Sequence, residues 1–153
     1  MKSFNEVLEK YRQDSISEHE KGTRFEVLMR NFLLTYPQYR DKFSKIYFWN
    51  EFSNEPDLGI DLVAETFDGD FWAVQCKFYA QSSTINKSAV DSFISNSSRT
   101  FHGKNFSQRI WISTSDNFTD NALKNPANFF MQDNFFIQIS KYILYIKFQA
   151  AYL

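Results

Sequence analysis

The stretch that decides the fold is Gly59-Ile60-Asp61-Leu62-Val63-Ala64-Glu65-Thr66, then Phe67-Asp68-Gly69-Asp70, then Phe71-Trp72-Ala73-Val74-Gln75-Cys76-Lys77-Phe78. Two runs rich in β-branched and aromatic residues flank an Asp-Gly pair, the strongest short-range signal for a tight hairpin. The pattern predicts strands over Ile60–Thr66 and Phe71–Phe78, paired antiparallel, with Asp61 brought beside Gln75 and Lys77. Strand side chains alternate between faces, so Gln75 and Lys77 share one face while Val74, Cys76 and Phe78 take the other. A carboxylate and an ammonium among apolar neighbours carry a steep desolvation cost unless they are paired or bind an ion. Either they form a structural ion pair or they do chemistry.

Working outward, apolar residues recur at helical spacing from Phe4 to Tyr11. Thr23 followed by Glu26 resembles a capping box opening a second helix through Phe25, Leu28, Met29, Phe32 and Leu33. That helix is expected to stop near Tyr36-Pro37, because the residue before proline is pushed out of helical geometry. Lys45–Trp49 and Arg109–Ser113 read as further strands. Between the hairpin and the last of these, Asn86–Arg99 carries Ala89, Val90, Phe93 and Ile94 at helical spacing, which predicts a helix crossing one sheet face and a parallel pair of strands beside it. A short helix is expected around Asp120–Lys124 and a last strand over Phe135–Ile139, while Tyr142–Tyr152 fits no single pattern. The order of elements predicts an α/β fold, a central mixed sheet flanked by helices, in one domain over residues 1–153.

A chain of 153 residues, 43% apolar and 19% aromatic, suits one core. The eighteen Phe supply packing area and no chemistry. One cysteine, Cys76, excludes an internal disulfide framework and a cysteine-rich zinc site, and fits a reducing compartment. Cys76 itself reads as a small buried apolar residue. No apolar run approaches the roughly 20 residues of a membrane span, and Met1–Gln13 lacks the core of a signal peptide, so a cytoplasmic protein without a membrane partner is expected. His19 and His102 lack metal-ligand spacing and read as surface side chains. A formal net charge of −1 does not advertise a nucleic-acid binder. A metal-dependent nuclease, however, gathers carboxylates at its centre and draws affinity from a cation or from other domains.

The chemical reading of Asp61, Gln75 and Lys77 is phosphodiester hydrolysis around a magnesium ion, with manganese able to substitute. Asp61 is the anionic ligand, Gln75 offers an amide oxygen, and the backbone carbonyl of Cys76 adds another. Lys77 then orients water or stabilises developing charge, a role preferred to general base because Asp61 opposes loss of its proton. Lys87, Arg99, Lys104 and Arg109 lie where they would follow DNA phosphates.

These residues resemble a known family. Gly59-Ile60-Asp61, thirteen residues, then Gln75-Cys76-Lys77 is similar to the Mrr-like branch of the PD-(D/E)XK nucleases, in which Gln-x-Lys is common. The wider match runs from Glu20-Lys21-Gly22-Thr23-Arg24-Phe25-Glu26 through Trp72–Tyr79 to Ile112-Ser113-Thr114, about residues 18–124. It resembles the amino-terminal nuclease of single-polypeptide, type ISP-like restriction-modification enzymes. The resemblance implies a restriction-endonuclease-like core and places Glu26, on the first core helix, in the metal site. Capping alone would also account for Glu26. Ile60 stands where the broad pattern has proline, and Gln75 replaces the usual acid, which removes a charge that Glu26 would restore. The literal Pro56-Asp57 pair reads as a loop, with Asp57 supporting the site from behind.

The implied activity is a metal-dependent DNA endonuclease of low intrinsic sequence specificity in restriction of foreign DNA. Helicase, methyltransferase or specificity domains or subunits would supply recognition, and the chain would be a fragment or a truncated relative of a larger restriction enzyme. The rivals are a branched-DNA repair nuclease and a non-catalytic binding module that keeps the fold.

Overall fold

The computed structural model describes residues 4–14, 17–80, 82–115, 134–139 and 144–147. Among the described residues, four helices, α1 (Phe4–Asp14), α2 (Glu18–Thr35), α3 (Trp49–Phe52) and α4 (Lys87–Ser97), accompany six strands. The strands are β1 (Phe43–Phe48), β2 (Leu62–Thr66), β3 (Phe71–Lys77), β4 (Phe106–Ser113), β5 (Asn134–Ile139) and β6 (Leu144–Lys147). They form one mixed sheet in the order β1-β2-β3-β4-β5-β6.

The Asp68-Gly69 turn forms as the residue types dictate. Gly69 takes φ +88°, a left-handed conformation open to glycine, and β2 pairs antiparallel with β3 in the register Leu62–Val74 and Val63–Ala73. From β3 the chain crosses through α4, whose first turn is capped by Asn86 accepting from Ala89 N at 2.9 Å, and returns as β4 parallel to β3. β5 continues parallel to β4, and β6 folds back antiparallel.

Alternation along β2, β3 and β4 divides the core into two layers. One face packs Leu62, Val74, Cys76 and Ile112 against Phe25, Met29 and Leu33 of α2, with Leu8 of α1 beside them. The other packs Val63, Ala73 and Trp111 against Val90 and Phe93 of α4. Cys76 is buried in the first layer, as a small apolar residue would be.

Several expectations shift. The helix through Phe25 begins at Glu18, with Ser17 as its N-cap, and the Ser17 hydroxyl accepts from Glu20 N at 3.1 Å. Thr23 is therefore interior, its hydroxyl donating back to His19 O at 3.1 Å, and the proposed Thr23–Glu26 capping box does not exist. β1 begins at Phe43, and Trp49 opens the short α3. The strand expected last is followed by β6, inside the unassigned Tyr142–Tyr152 stretch. The helix expected at Asp120–Lys124 lies outside the described residues. Among the described residues, no helix is long and apolar enough to cross a membrane.

Candidate functional site

Asp61 ends the loop that enters β2, and its backbone already belongs to the sheet: Asp61 N donates to Val74 O at 2.9 Å, and Trp49 N donates to Asp61 O at 3.0 Å. The peptide is held from both sides, which fixes where the carboxylate starts. Its Oδ2 accepts from Gln75 Nε2 and from Cys76 N, both at 2.7 Å. Oδ1 has no hydrogen bond among the described residues. Gln75 is buried at 3% exposure, so its amide has little freedom to leave this arrangement.

The pairing also fixes Gln75's role in this state. Its nitrogen serves Asp61, while Oε1 lies where a β carbon built on Gly59 would meet it at 3.2 Å. Presenting the amide oxygen to a cation beside Asp61, as the sequence reading expected, requires a half-turn of the amide.

Lys77, two residues on, shares the face of Gln75 by strand alternation. Its ammonium makes no ion pair with a described residue, so the structural salt bridge to Asp61 does not form. Its backbone is locked instead. Thr114 N donates to Lys77 O at 3.2 Å, and Thr114 Oγ1 accepts from Tyr79 N and donates to Tyr79 O, each at 2.8 Å. The Ile112-Ser113-Thr114 segment thus ties the end of β4 to the end of β3.

Glu26 comes from α2 on the other layer, and is close enough to respond to the same charges. Burial, reinforced by the negative charges of Asp61 and Asp57 and opposed by Lys77, pushes its carboxyl from an ordinary 4.5 up to about 7. Burial likewise pushes Asp61 from 3.8 up to about 6; Cys76 N–H, Lys77 and Gln75 pull it down, and Asp57 pushes it up. Burial drives the Cys76 thiol well above its ordinary range, which leaves it an inert core side chain.

These raised values set a pH dependence. An acid whose folded pKa exceeds its unfolded value favours the folded state while protonated, and that contribution is lost as pH rises through the folded pKa. Metal-free protein is therefore expected to lose stability between about pH 5 and about pH 8. Glu26→Gln should flatten this slope and raise stability near pH 8 by about 1–2 kcal/mol, a figure discounted for partial exposure and screening. Thermal melts in EDTA across that range check it; identical slopes in the two proteins would remove Glu26 from the charge cluster.

Among the described residues, no three His, Cys, Asp or Glu side chains converge tightly enough to hold an ion alone. The donors present are one well-oriented carboxylate with an unengaged oxygen, a neighbouring amide and peptide, and Glu26 nearby. That set fits magnesium, which keeps several waters and binds through one or two carboxylates plus substrate phosphate oxygens.

The outlying basic residues divide. Lys87 pairs with Asp91, and Arg99 donates to Glu55 at 3.0 Å. Lys104 sits over the Phe71 ring at 4.8 Å without a carboxylate partner among the described residues. Arg109 is half-buried and donates to Ser97 Oγ at 2.6 Å, Ser97 O at 3.2 Å and Ser98 Oγ at 3.0 Å, which fastens β4 to the end of α4. Of the two histidines, His19 lies on α2, and His102, with φ 51°, is exposed and sets Nε2 2.9 Å from Phe52 O. Asp57, read from sequence as a support behind the site, accepts from Gly59 N at 2.7 Å, a local side-chain turn that the Asp-x-Gly spacing signals.

Residues 34–138 match a family model described as a restriction endonuclease, of the Mrr catalytic type. Among solved structures, the fold is similar to part of the ATP-dependent Type ISP restriction-modification enzyme LlaBIII bound to DNA, with a TM-score of 0.68 and 23% identity. The similarity covers 92% of this chain and 8% of that one, so the chain spans a small fraction of that protein's length. No curated protein sequence matches the chain.

Proposed function

Because the chain belongs to the Mrr-like restriction endonuclease family, we propose that it hydrolyses DNA phosphodiester bonds with a divalent cation, magnesium or manganese, at Asp61. The observation that carries this reading is the carboxylate of Asp61. It is fixed on one oxygen by Gln75 and Cys76, open on the other, and lies within the electrostatic reach of a lysine that forms no ion pair with a described carboxylate. A structural ion pair would have closed Lys77 onto Asp61.

In this reading Asp61 and Glu26 would hold the cation together with the Cys76 carbonyl, and Gln75, whose amide oxygen would need a half-turn to join them, keeps the Asp61 carboxylate oriented through Nε2. When bound, the cation polarises the phosphate and lowers the pKa of a water. Lys77 meets the negative charge that develops on the phosphate, its backbone steadied by Thr114. Asp61 and Glu26 release protons as they become ligands, so metal affinity should rise with pH through about 6 to 7.

DNA is the proposed partner. Lys104, over the Phe71 ring at the opposite end of β3 from Lys77, is an outlying cation with no carboxylate to release among the described residues, Lys87 and Arg99 would first have to exchange their carboxylates for phosphate, and Arg109 is occupied within the fold. Among the described residues no element resembles a base-reading helix, and in this reading sequence selection falls to other domains or subunits of a restriction system, the domain itself cutting with low specificity.

The test is cleavage of supercoiled plasmid by the purified protein with magnesium, manganese or EDTA. Nicking or linearisation with either metal and none in EDTA supports the reading. Cutting that persists in EDTA overturns the metal role, and no cutting under any condition shifts the assignment to a binding module that keeps the fold.

A further inference from the structure

The loop that delivers Asp61 is more firmly built than an ordinary connection. The Trp49 indole donates to Glu55 O at 3.0 Å and Pro56 O at 3.2 Å, and Asn96 Nδ2 of α4 donates to Leu58 O at 2.6 Å. Asp57 Oδ1 then accepts from Gly59 N at 2.7 Å. Four successive hydrogen bonds fix a segment with no ladder of its own, and they converge on Gly59, whose φ of +78° turns the backbone toward β3. There it comes close to Gln75: a β carbon on Gly59 would stand 3.2 Å from Gln75 Oε1, so a side chain at that position would push the amide aside. With the Gly59 backbone close beside its oxygen and Asp61 accepting from its nitrogen, the Gln75 amide is held at one end and bounded at the other.

We propose that Asp57 is a positioning residue for this site, holding the Gly59 turn against Gln75 so that the Gln75 amide is oriented on Asp61. Asp57 touches none of the reacting atoms in this account. It acts through two intermediaries, Gly59 and Gln75, and Asn96 braces the same turn from α4. The catalytic consequence rests on the nuclease reading above; the orientation of Gln75 does not.

The requirement is for an acceptor at Oδ1, not for charge, and that separates the variants. Asp57→Asn keeps an oxygen for Gly59 N, whereas Asp57→Ala removes it. The first measurement is the side-chain amide signal of Gln75 in nitrogen-15 correlation spectra of the metal-free protein. Asp57→Asn should leave it in place, and Asp57→Ala should move it to solvent-like shifts with fast exchange. Gly59→Ala, which crowds the same contact, should also displace it, and gives a second route if Asp57→Ala folds poorly.

In plasmid cleavage, Asp57→Ala should lose about 10–100-fold in kcat with little change in KM, and Asp57→Asn should stay within about threefold of wild type. An unmoved Gln75 signal in both Asp57→Ala and Gly59→Ala overturns the proposal, as does an Asp57→Asn variant that fails as badly as Asp57→Ala. If the amide signals behave as expected while wild-type protein cuts no DNA, the nuclease reading falls and the positioning role of Asp57 stands.

Discussion

Asp61→Asn is expected to leave the domain folded and to lower metal-dependent DNA cleavage by about 10³-fold or more. The substitution keeps an oxygen that can accept from Gln75 Nε2 and Cys76 N, the two bonds of 2.7 Å that fix this side chain, and removes only the negative charge. What is lost is the anionic ligand and, with it, the affinity for a hard cation. The folded state should not suffer, since burial already works against the Asp61 charge and holds its pKa near about 6. A melting temperature at or above that of wild type near neutral pH, together with loss of plasmid nicking across a manganese titration, is the expected pair of results. Cutting at the wild-type rate would remove Asp61 from the centre of the site.

The largest effect on stability is expected at Phe25. Its ring is fully buried in the layer between α2 and β3 and stacks on Phe78, with centroids 5.1 Å apart and planes at 17°. Phe25→Ala removes that contact and leaves a cavity the sheet cannot close, at a cost of about 3–5 kcal/mol. Against a total stability of roughly 5–15 kcal/mol, this empties much of the reserve. Because Phe25 precedes Glu26 and Phe78 follows Lys77, the ring pair joins the two segments that carry these proposed site residues. The variant should therefore lose activity even at temperatures where it stays folded. Urea unfolding checks the first part; a change under about 1 kcal/mol would mean that α2 is not clamped to β3 through this ring.

Much of this arrangement was legible because it is local. Asp68-Gly69 announces its turn, the flanking runs announce strands, and alternation alone puts Gln75 with Lys77 and Cys76 with the core. The start of α2 misled because Thr23 with Glu26 reads as a capping box from sequence alone, and only backbone geometry shows that the chain is already helical at Thr23, with Ser17 as the N-cap.

The site was half legible for a different reason. Asp61, Gln75 and Lys77 are polar intruders in apolar strands and stand out. Asp57 sits in a loop, where polar residues are unremarkable, and was read only as a support behind the site; the hydrogen bonds of Trp49 and Asn96 to that loop are contacts no local pattern announces. Arg109 shows the converse. Its charge suggested an outward role, but neighbours distant in sequence, Ser97 and Ser98, take its donors.

The spatial order of the strands, the same as their order along the chain, bears on how the protein is made. No strand has to be threaded between two that are already paired, so the sheet can grow from its first hairpin outward as the polypeptide leaves the ribosome. Glu26, Asp57, Asp61, Gln75 and Lys77 all emerge early, while Thr114, which fastens the peptide of Lys77, emerges some forty residues later. A nascent chain therefore carries every proposed catalytic group before it carries the clasp that steadies one of them, and competence to cut would arrive only with β4.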